Sequence, residues 1–173
     1  IVAGADQMVI VTSATDPPPQ PRLIDRCLVA AYDEDIDPLL VVTKTDLADP
    51  RALLASYAPL HLPTVLTGRD EHGELSGVDE LTERLVGRTS VLVGPSGVGK
   101  STLVNTLVPG SNRAVGAVNE VTGRGRHTSS SAVALRLPQG GWVVDTPGIR
   151  SFGLAHVRPA QVLAAFVDLT PGA

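Results

Sequence analysis

One run constrains this chain more than any other: Val91-Leu-Val-Gly-Pro-Ser-Gly-Val-Gly-Lys-Ser101. The apolar residues Val91 to Val93 read as a short buried strand, and Thr102 to Val108 as the helix that follows. Between them stands Gly94-x-x-x-x-Gly99-Lys100-Ser101. Strand, G-x-x-x-x-G-K-[ST] and helix together are the setting of a phosphate-binding loop. The residue types suit that chemistry. Gly94, Gly97 and Gly99 let the backbone turn tightly, so that N–H groups from Ser96 and Val98 to Thr102 can aim at anionic oxygens. The helix N-terminus adds partial positive charge. Lys100 can reach β- and γ-phosphates, and the Ser101 hydroxyl can ligate Mg²⁺. A glycine-rich turn without a ligand is the plain alternative, and the flanking strand and helix argue against it. The loop alone does not choose between GTP, ATP or a kinase reaction.

A length of 173 residues corresponds to about one domain, long enough to bury a core without disulfides or metals. Aromatic residues are only 3% of the chain, so that core must be aliphatic. The net charge of -4 argues against a domain sheathed in nucleic acid, though not against a local basic face. Of 14 cationic side chains only Lys44 and Lys100 are lysines, and both fall within nucleotide-binding motifs. Cys27 is the only cysteine, which fits a reducing compartment, the cytoplasm; its helical spacing with Leu23, Ile24 and Ala31 makes it a small core residue. No apolar run reaches the roughly 18 residues of a membrane span, and no basic leader precedes Met8. Both ends read as cut from something longer.

Met8 to Thr12 and Leu39 to Thr43 are continuous apolar runs of strand length, of the kind buried on both faces of a parallel sheet. Between them Asp16-Pro-Pro-Pro-Gln-Pro21 is a stiff connector, and Arg22 to Tyr32 has helical periodicity. The acidic Asp33, Glu34, Asp35 and Asp37 suit a solvated turn. Asp49 is the expected cap of a short helix starting at Pro50. Val65 to Thr67 reads as a third strand. Arg69 to Gly77 is a polar loop, and Val78 to Val86 an amphipathic helix ended by Gly87. Pro109 to Ser130 carries no periodicity, and a structureless stretch of that length inside a domain is often functional. Ala132 to Leu137 and Trp142 to Asp145 form a hairpin pattern, and Pro159 to Phe166 a last helix. Alternating strands and helices predict an α/β, doubly wound, mostly parallel sheet of the P-loop NTPase class, with ligand loops at the strands' C-terminal ends.

Three further motifs follow strands. Asp145-Thr-Pro-Gly148 has the form of a Mg²⁺-holding carboxylate followed by a γ-phosphate N–H at Gly148; a simple Asx-Pro-Gly turn is the alternative. Thr43-Lys44-Thr45-Asp46 is similar to the guanine-reading motif N-K-x-D. A carboxylate at Asp46 can accept from both N1–H and the 2-amino group of guanine, a donor pair adenine lacks. The Lys44 stem can lie along the base plane. Thr43 replaces the usual Asn, so a hydroxyl must do the amide's bracing work. Thr67-Gly68 falls where GTPases offer a backbone N–H to guanine O6. In the long loop, Thr128 within Gly125-Arg-His-Thr128 could complete the Mg²⁺ shell.

The motifs come in an unusual order: guanine motif, Thr67-Gly68, phosphate loop, Thr128, Asp145. Ordinary GTPases begin with the phosphate loop, so this chain reads as circularly permuted, joined at Gly87-Arg88-Thr89. With Asp6-Gln7, Pro17-Pro18, Leu23-Ile-Asp-Arg26, Lys44-x-Asp46-Leu47, the phosphate loop with Leu103 and Asn105, Gly125-Arg-His-Thr128 and Asp145-Thr-Pro-Gly-Ile149, it resembles the bacterial circularly permuted GTPases of the RsgA type, which act on the small ribosomal subunit during its maturation. The resemblance covers nearly the whole chain. It implies GTP hydrolysis to GDP and phosphate with Mg²⁺, a monomeric protein, and contact with the 30S subunit and its rRNA mainly through flanking domains. Those domains, an N-terminal OB-fold and a C-terminal zinc-binding domain, are expected to lie outside residues 1–173, and zinc with them. Ile149 stands where Ras-like GTPases place a water-orienting Gln, and an aliphatic side chain cannot orient water. The resemblance points to His127 instead, with Lys100 and Thr128 as further catalytic groups; Arg126 or Arg150 as an arginine finger is an alternative. Arg113, Arg124, Arg126 and His127 make the one stretch basic enough to touch RNA phosphates. Two rival readings remain: a guanylate-kinase-like nucleotide kinase, and a GTP-gated binding module without hydrolysis.

Overall fold

The computed structural model describes residues 4–111 and 133–146. Its elements run β1 (Gln7–Ser13), α1 (Pro21–Asp33), β2 (Asp37–Thr43), α2 (Arg51–Tyr57), a 3₁₀ turn (Ala58–Leu60), β3 (Thr64–Leu66), α3 (Val78–Leu85), β4 (Thr89–Val93), α4 (Lys100–Leu107), β5 (Val133–Arg136) and β6 (Trp142–Asp145). Successive strand residues point to opposite faces, so the apolar runs divide between two core layers. Met8, Ile10, Leu40, Val42, Val91 and Val93 face one layer, covered by α1 and by Tyr57 of α2. Val9, Val11, Leu39, Val41 and Leu92 face the other, covered by α3 and α4. A run buried on both faces has to be apolar at every position, which is why these strands show no alternation.

Six strands form one sheet in the order β3-β2-β1-β4-β6-β5. Every neighbouring pair is parallel except β5 with β6. The chain builds outward from β1 through β2 to β3, returns through α3 to β4 beside β1, and extends to the other edge. The order therefore reverses between β1 and β4, and the crevice at the C-terminal ends of a sheet at such a point is where ligands bind.

Within the described residues the expected strands and helices are present, with ends shifted by a residue or two. Asp49 lies one position before the helix N-cap, which Pro50 occupies, and its Oδ1 accepts the Arg51 N–H at 2.9 Å. Glu34 and Asp35 are exposed, and Asp37 pairs with Arg88 at 3.0 Å. The β5–β6 hairpin is closed by Leu137 N–H to Gly141 O at 2.9 Å and Gly140 N–H to Leu137 O at 3.0 Å. Cys27 is buried in α1, and burial pushes its thiol up to about 12. No helix among the described residues is long and apolar enough to cross a membrane. Most of the loop from Pro109 to Ser130 and the helix expected over Pro159 to Phe166 lie outside the described residues.

The join at Gly87-Arg88-Thr89 gives Asp6-Gln7 a structural use. Asp6 Oδ2 accepts the Thr89 N–H at 2.8 Å, and Asp6 N–H donates to Thr89 O at 2.8 Å. Gln7 Oε1 accepts the buried Ser90 hydroxyl at 3.0 Å. These bonds fix β1 against β4, and with it the spacing between the two loops that leave their far ends.

Candidate functional site

The phosphate loop leaves β4 at Gly94. A Cβ at Gly94 would run into the Val11 carbonyl oxygen of β1, so only glycine fits the loop this close to the sheet. The loop ends at Gly99, the N-cap of α4, where no side chain caps the helix. The first N–H groups of α4 are thus left for a ligand. Lys100 folds over its own loop, donating to Gly94 O at 2.6 Å and Pro95 O at 2.8 Å. Burial holds its ammonium below the ordinary lysine range, and the nearby Asp145 carboxylate partly offsets this. Asp145 ends β6, two strands from β1, and is 5% exposed. Beside it Thr146 Oγ1 donates to Leu92 O at 2.6 Å, fixing the end of β6 to β4.

The motif after β2 meets the same loop from the other side. Thr43 Oγ1 lies 2.5 Å from Val98 O and 3.2 Å from Thr12 O. A hydroxyl has one proton to donate, and the shorter contact takes it. Thr43 therefore ties the phosphate loop to the end of β2, the bracing expected of it. Lys44 holds a left-handed backbone at φ 58°, and its Nζ donates to Gly97 O at 3.1 Å and to the Asp16 carbonyl. Thr45 donates through N–H at 3.2 Å and through Oγ1 at 3.0 Å to Thr67 O, so the Asp46 loop and the end of β3 move as one piece.

At Thr67-Gly68 the sequence leaves open which N–H is free, and the structure separates the two. The Thr67 N–H continues the parallel ladder and donates to Val42 O at 2.9 Å, so it is not available to a base. The N–H left without a partner among the described residues is that of Gly68. Gly68 is pressed on the Asp46 loop: a Cβ there would lie 2.8 Å from Thr45 Oγ1 and 3.0 Å from Asp46 Oδ1. The Thr67 hydroxyl is fully buried, with no hydrogen-bond partner among the described residues. An unmet buried hydroxyl costs about 1–3 kcal/mol, and a bound ligand is one way to relieve it.

Together these residues enclose a cleft of about 170 Å³, whose walls include Thr43, Lys44, Asp46, Thr67 and Gly68 on one side and Val98, Gly99 and Thr102 on the other. Gly94, Ser96, Gly97, Lys100, Ser101 and Asp145 are not among the residues that line it; Ser96 and Gly97 are exposed, and Lys100 lies near enough to Asp145 to feel its charge. Thr128, His127 and Gly148 lie outside the described residues, as do Arg113, Arg124, Arg126, Ile149 and Arg150. The Ser101 hydroxyl and the Asp145 carboxylate are hard oxygen donors, a set that fits Mg²⁺ better than a softer metal. Four residues that line the cleft were not among the predicted site residues: Leu47, Arg69, Leu75 and Leu103. Leu75 could have been found as the single apolar residue in the polar loop from Arg69 to Gly77. A second cavity, of about 400 Å³, lies at the opposite ends of the strands between Gln7, Asp37, His61, Arg84 and Arg88, far from these motifs.

A family model described as RsgA GTPase matches residues 1–155. The chain is 45% identical over 174 residues to the small ribosomal subunit biogenesis GTPase RsgA of Ectopseudomonas mendocina, covering 97% of this chain and 50% of that protein. Its match to the protein of the same name from Pseudomonas fluorescens (strain Pf0-1) is also 45% identical, over 173 residues, covering 96% and 50%. The chain thus spans about half the length of these relatives. Among solved structures it is similar to YjeQ from Thermotoga maritima, with a TM-score of 0.73 and 31% identity over 96% of this chain and 56% of that one. It is also similar to YloQ, titled a circularly permuted GTPase, with a TM-score of 0.69 and 26% identity over 96% and 52%. The sheet is that of a P-loop GTPase with its elements in permuted order.

Proposed function

The chain belongs to the RsgA GTPase family, and from that premise we propose that it binds GTP in the cleft between Asp46 and Gly99 and hydrolyses it as a step in maturation of the small ribosomal subunit. The observation that carries this reading is that Asp46 and the phosphate-loop residues Val98 and Gly99, distant in the chain and in reversed order, line one cleft. Asp46 reads guanine through N1–H and the 2-amino group, and the Gly68 N–H is the donor for O6. The Lys100 ammonium and the uncapped first turn of α4 hold the phosphates. Ser101 and Asp145, with Thr128 a further ligand, would hold a Mg²⁺ ion, which would supply charge neutralisation to the phosphates.

Hydrolysis is attack of water on the γ-phosphate, breaking its bond to the β–γ bridging oxygen and releasing GDP and phosphate. The chain's part is positioning: Thr43 and Lys44 fix the phosphate loop relative to the base, so that the nucleotide is held at both ends. Ile149 cannot orient the water, and His127 is assigned that role on sequence grounds. In this reading the chain is the GTPase portion of a longer cytoplasmic protein, flanked by an OB-fold and a zinc-binding domain that supply most of the rRNA contact, and it acts as a monomer. The twofold greater length of the relatives supports a longer protein, and their names support a role at the small ribosomal subunit.

The test is phosphate release from GTP and from ATP, titrated with 30S subunits in the full-length protein. GTP-specific turnover that rises with subunits is expected. Transfer of phosphate from ATP to GMP instead would replace the reading with a kinase, and tight GTP binding without turnover would leave a gated binding module. His127→Ala is expected to lower subunit-stimulated turnover far more than GTP affinity; equal losses would remove His127 from the chemistry.

A further inference from the structure

The loop after Gly68 is a built element. Arg69 and Leu75 pair as an antiparallel rung. Asp70 N–H donates to Glu74 O at 2.8 Å, and Gly73 N–H to Asp70 O at 2.9 Å. Asp70 Oδ1 accepts the N–H groups of His72 and Glu74, each at 2.9 Å. Arg69 Nη1 donates to Gly73 O at 2.7 Å. This small hairpin is fastened to the base end of the cleft, because Ser76 donates to Gly68 O through its N–H at 2.7 Å and its hydroxyl at 2.9 Å. Gly68 in turn abuts Asp46. Leu75 packs against the core layer under α3 and α4 and also lines the cleft with Arg69.

A carboxylate that reads the edge of a purine leaves both ring faces to be covered. The Lys44 stem, stretched towards Gly97 and Asp16, can cover one. We propose that the Arg69–Leu75 rung is the outer wall of the base cleft, and that Leu75 is a positioning residue whose side chain packs on the guanine ring and holds it against Asp46. The proposal rests on the guanine reading given above. It explains why a single apolar residue sits in a polar loop, and why so many short bonds stiffen that loop: a wall that holds a flat ring must be ordered before the ring arrives.

Binding to the full chain by calorimetry tests it. Leu75→Ala is expected to weaken GDP and GTP by the same factor, roughly five- to thirty-fold for the lost apolar contact. Inorganic tripolyphosphate, which has no base, should bind Leu75→Ala as it binds the parent chain, and Leu75→Met should recover most of the GDP affinity. GDP affinity unchanged in Leu75→Ala, or tripolyphosphate affinity falling in step with it, overturns the wall and leaves Leu75 a core residue. Asp46→Asn separates this from failure of the guanine reading. Xanthine carries a carbonyl where guanine carries the 2-amino group, so that variant should lose GDP and gain XDP. An Asp46→Asn chain that binds GDP normally overturns both proposals together.

Discussion

The two ends of the sheet are built on opposite rules. At the N-terminal ends of the strands, polar groups meet one another: Asp6 with Thr89, Gln7 with Ser90, Arg88 with Asp37. At the C-terminal ends, polar groups are left open. Among the described residues, the first turn of α4 has no side-chain cap and the Thr67 hydroxyl is buried without a partner. One end holds the strands in register; the other holds unmet donors around a cleft. The difference teaches that a ligand site is recognisable by what the fold leaves unsatisfied, and that such a site depends on a well-satisfied region elsewhere.

Perturbations at the two ends should therefore separate affinity from stability. The largest effect expected is on Cys27, in the core between them. Its thiol is pushed up to about 12 from an ordinary 9.0 by burial. A raised thiol pKa favours the protonated fold, so that contribution is full below pH 9 and lost as pH climbs towards 12. At pH 8 a thiol reagent should label Cys27 only through unfolding, and GDP at a hundred times its Kd should slow labelling about a hundred-fold. Labelling indifferent to GDP would mean that the cleft and the core are not coupled.

Gly68→Ala comes next. The added methyl collides with Thr45 and Asp46, and the backbone must shift where the base is read. GDP affinity should fall about ten- to a hundred-fold, with unfolding by urea less affected. Asp6→Ala should do the reverse: about 1 kcal/mol of stability lost in urea, with GDP affinity unchanged. Arg88→Ala removes an exposed pair and should cost no more than about 0.5 kcal/mol. If Asp6→Ala weakened GDP binding as much as Gly68→Ala, the division between the two ends would be wrong.

How much of this was legible beforehand follows from distance along the chain. The strands from Met8, Leu39 and Val91 could be read because burial on both faces demands unbroken apolar runs, and the helices because their periodicity is local. The cleft's main residues were legible for the same reason: each motif sits at the end of a strand. Leu75 was legible only as a lone apolar residue in a polar loop; that it also lines the cleft was not, because nothing local distinguishes a wall residue from a loop residue that packs inward. Nor was the use of the Thr67 N–H in the ladder, since that depends on how far β3 continues beside β2.

The sequence by itself determined the phosphate loop, the reversed order of the motifs and the double-sided burial of the strands, because backbone chemistry and periodicity are written within a few residues. Only the tertiary structure decided which hydroxyl proton goes where, which N–H remains for a base, and why Gly68 can carry no side chain. Those depend on contacts such as Thr43 with Val98 and Gly68 with Asp46. Parallel strands bring such residues together only when their register is fixed, and the register is a property of the whole sheet.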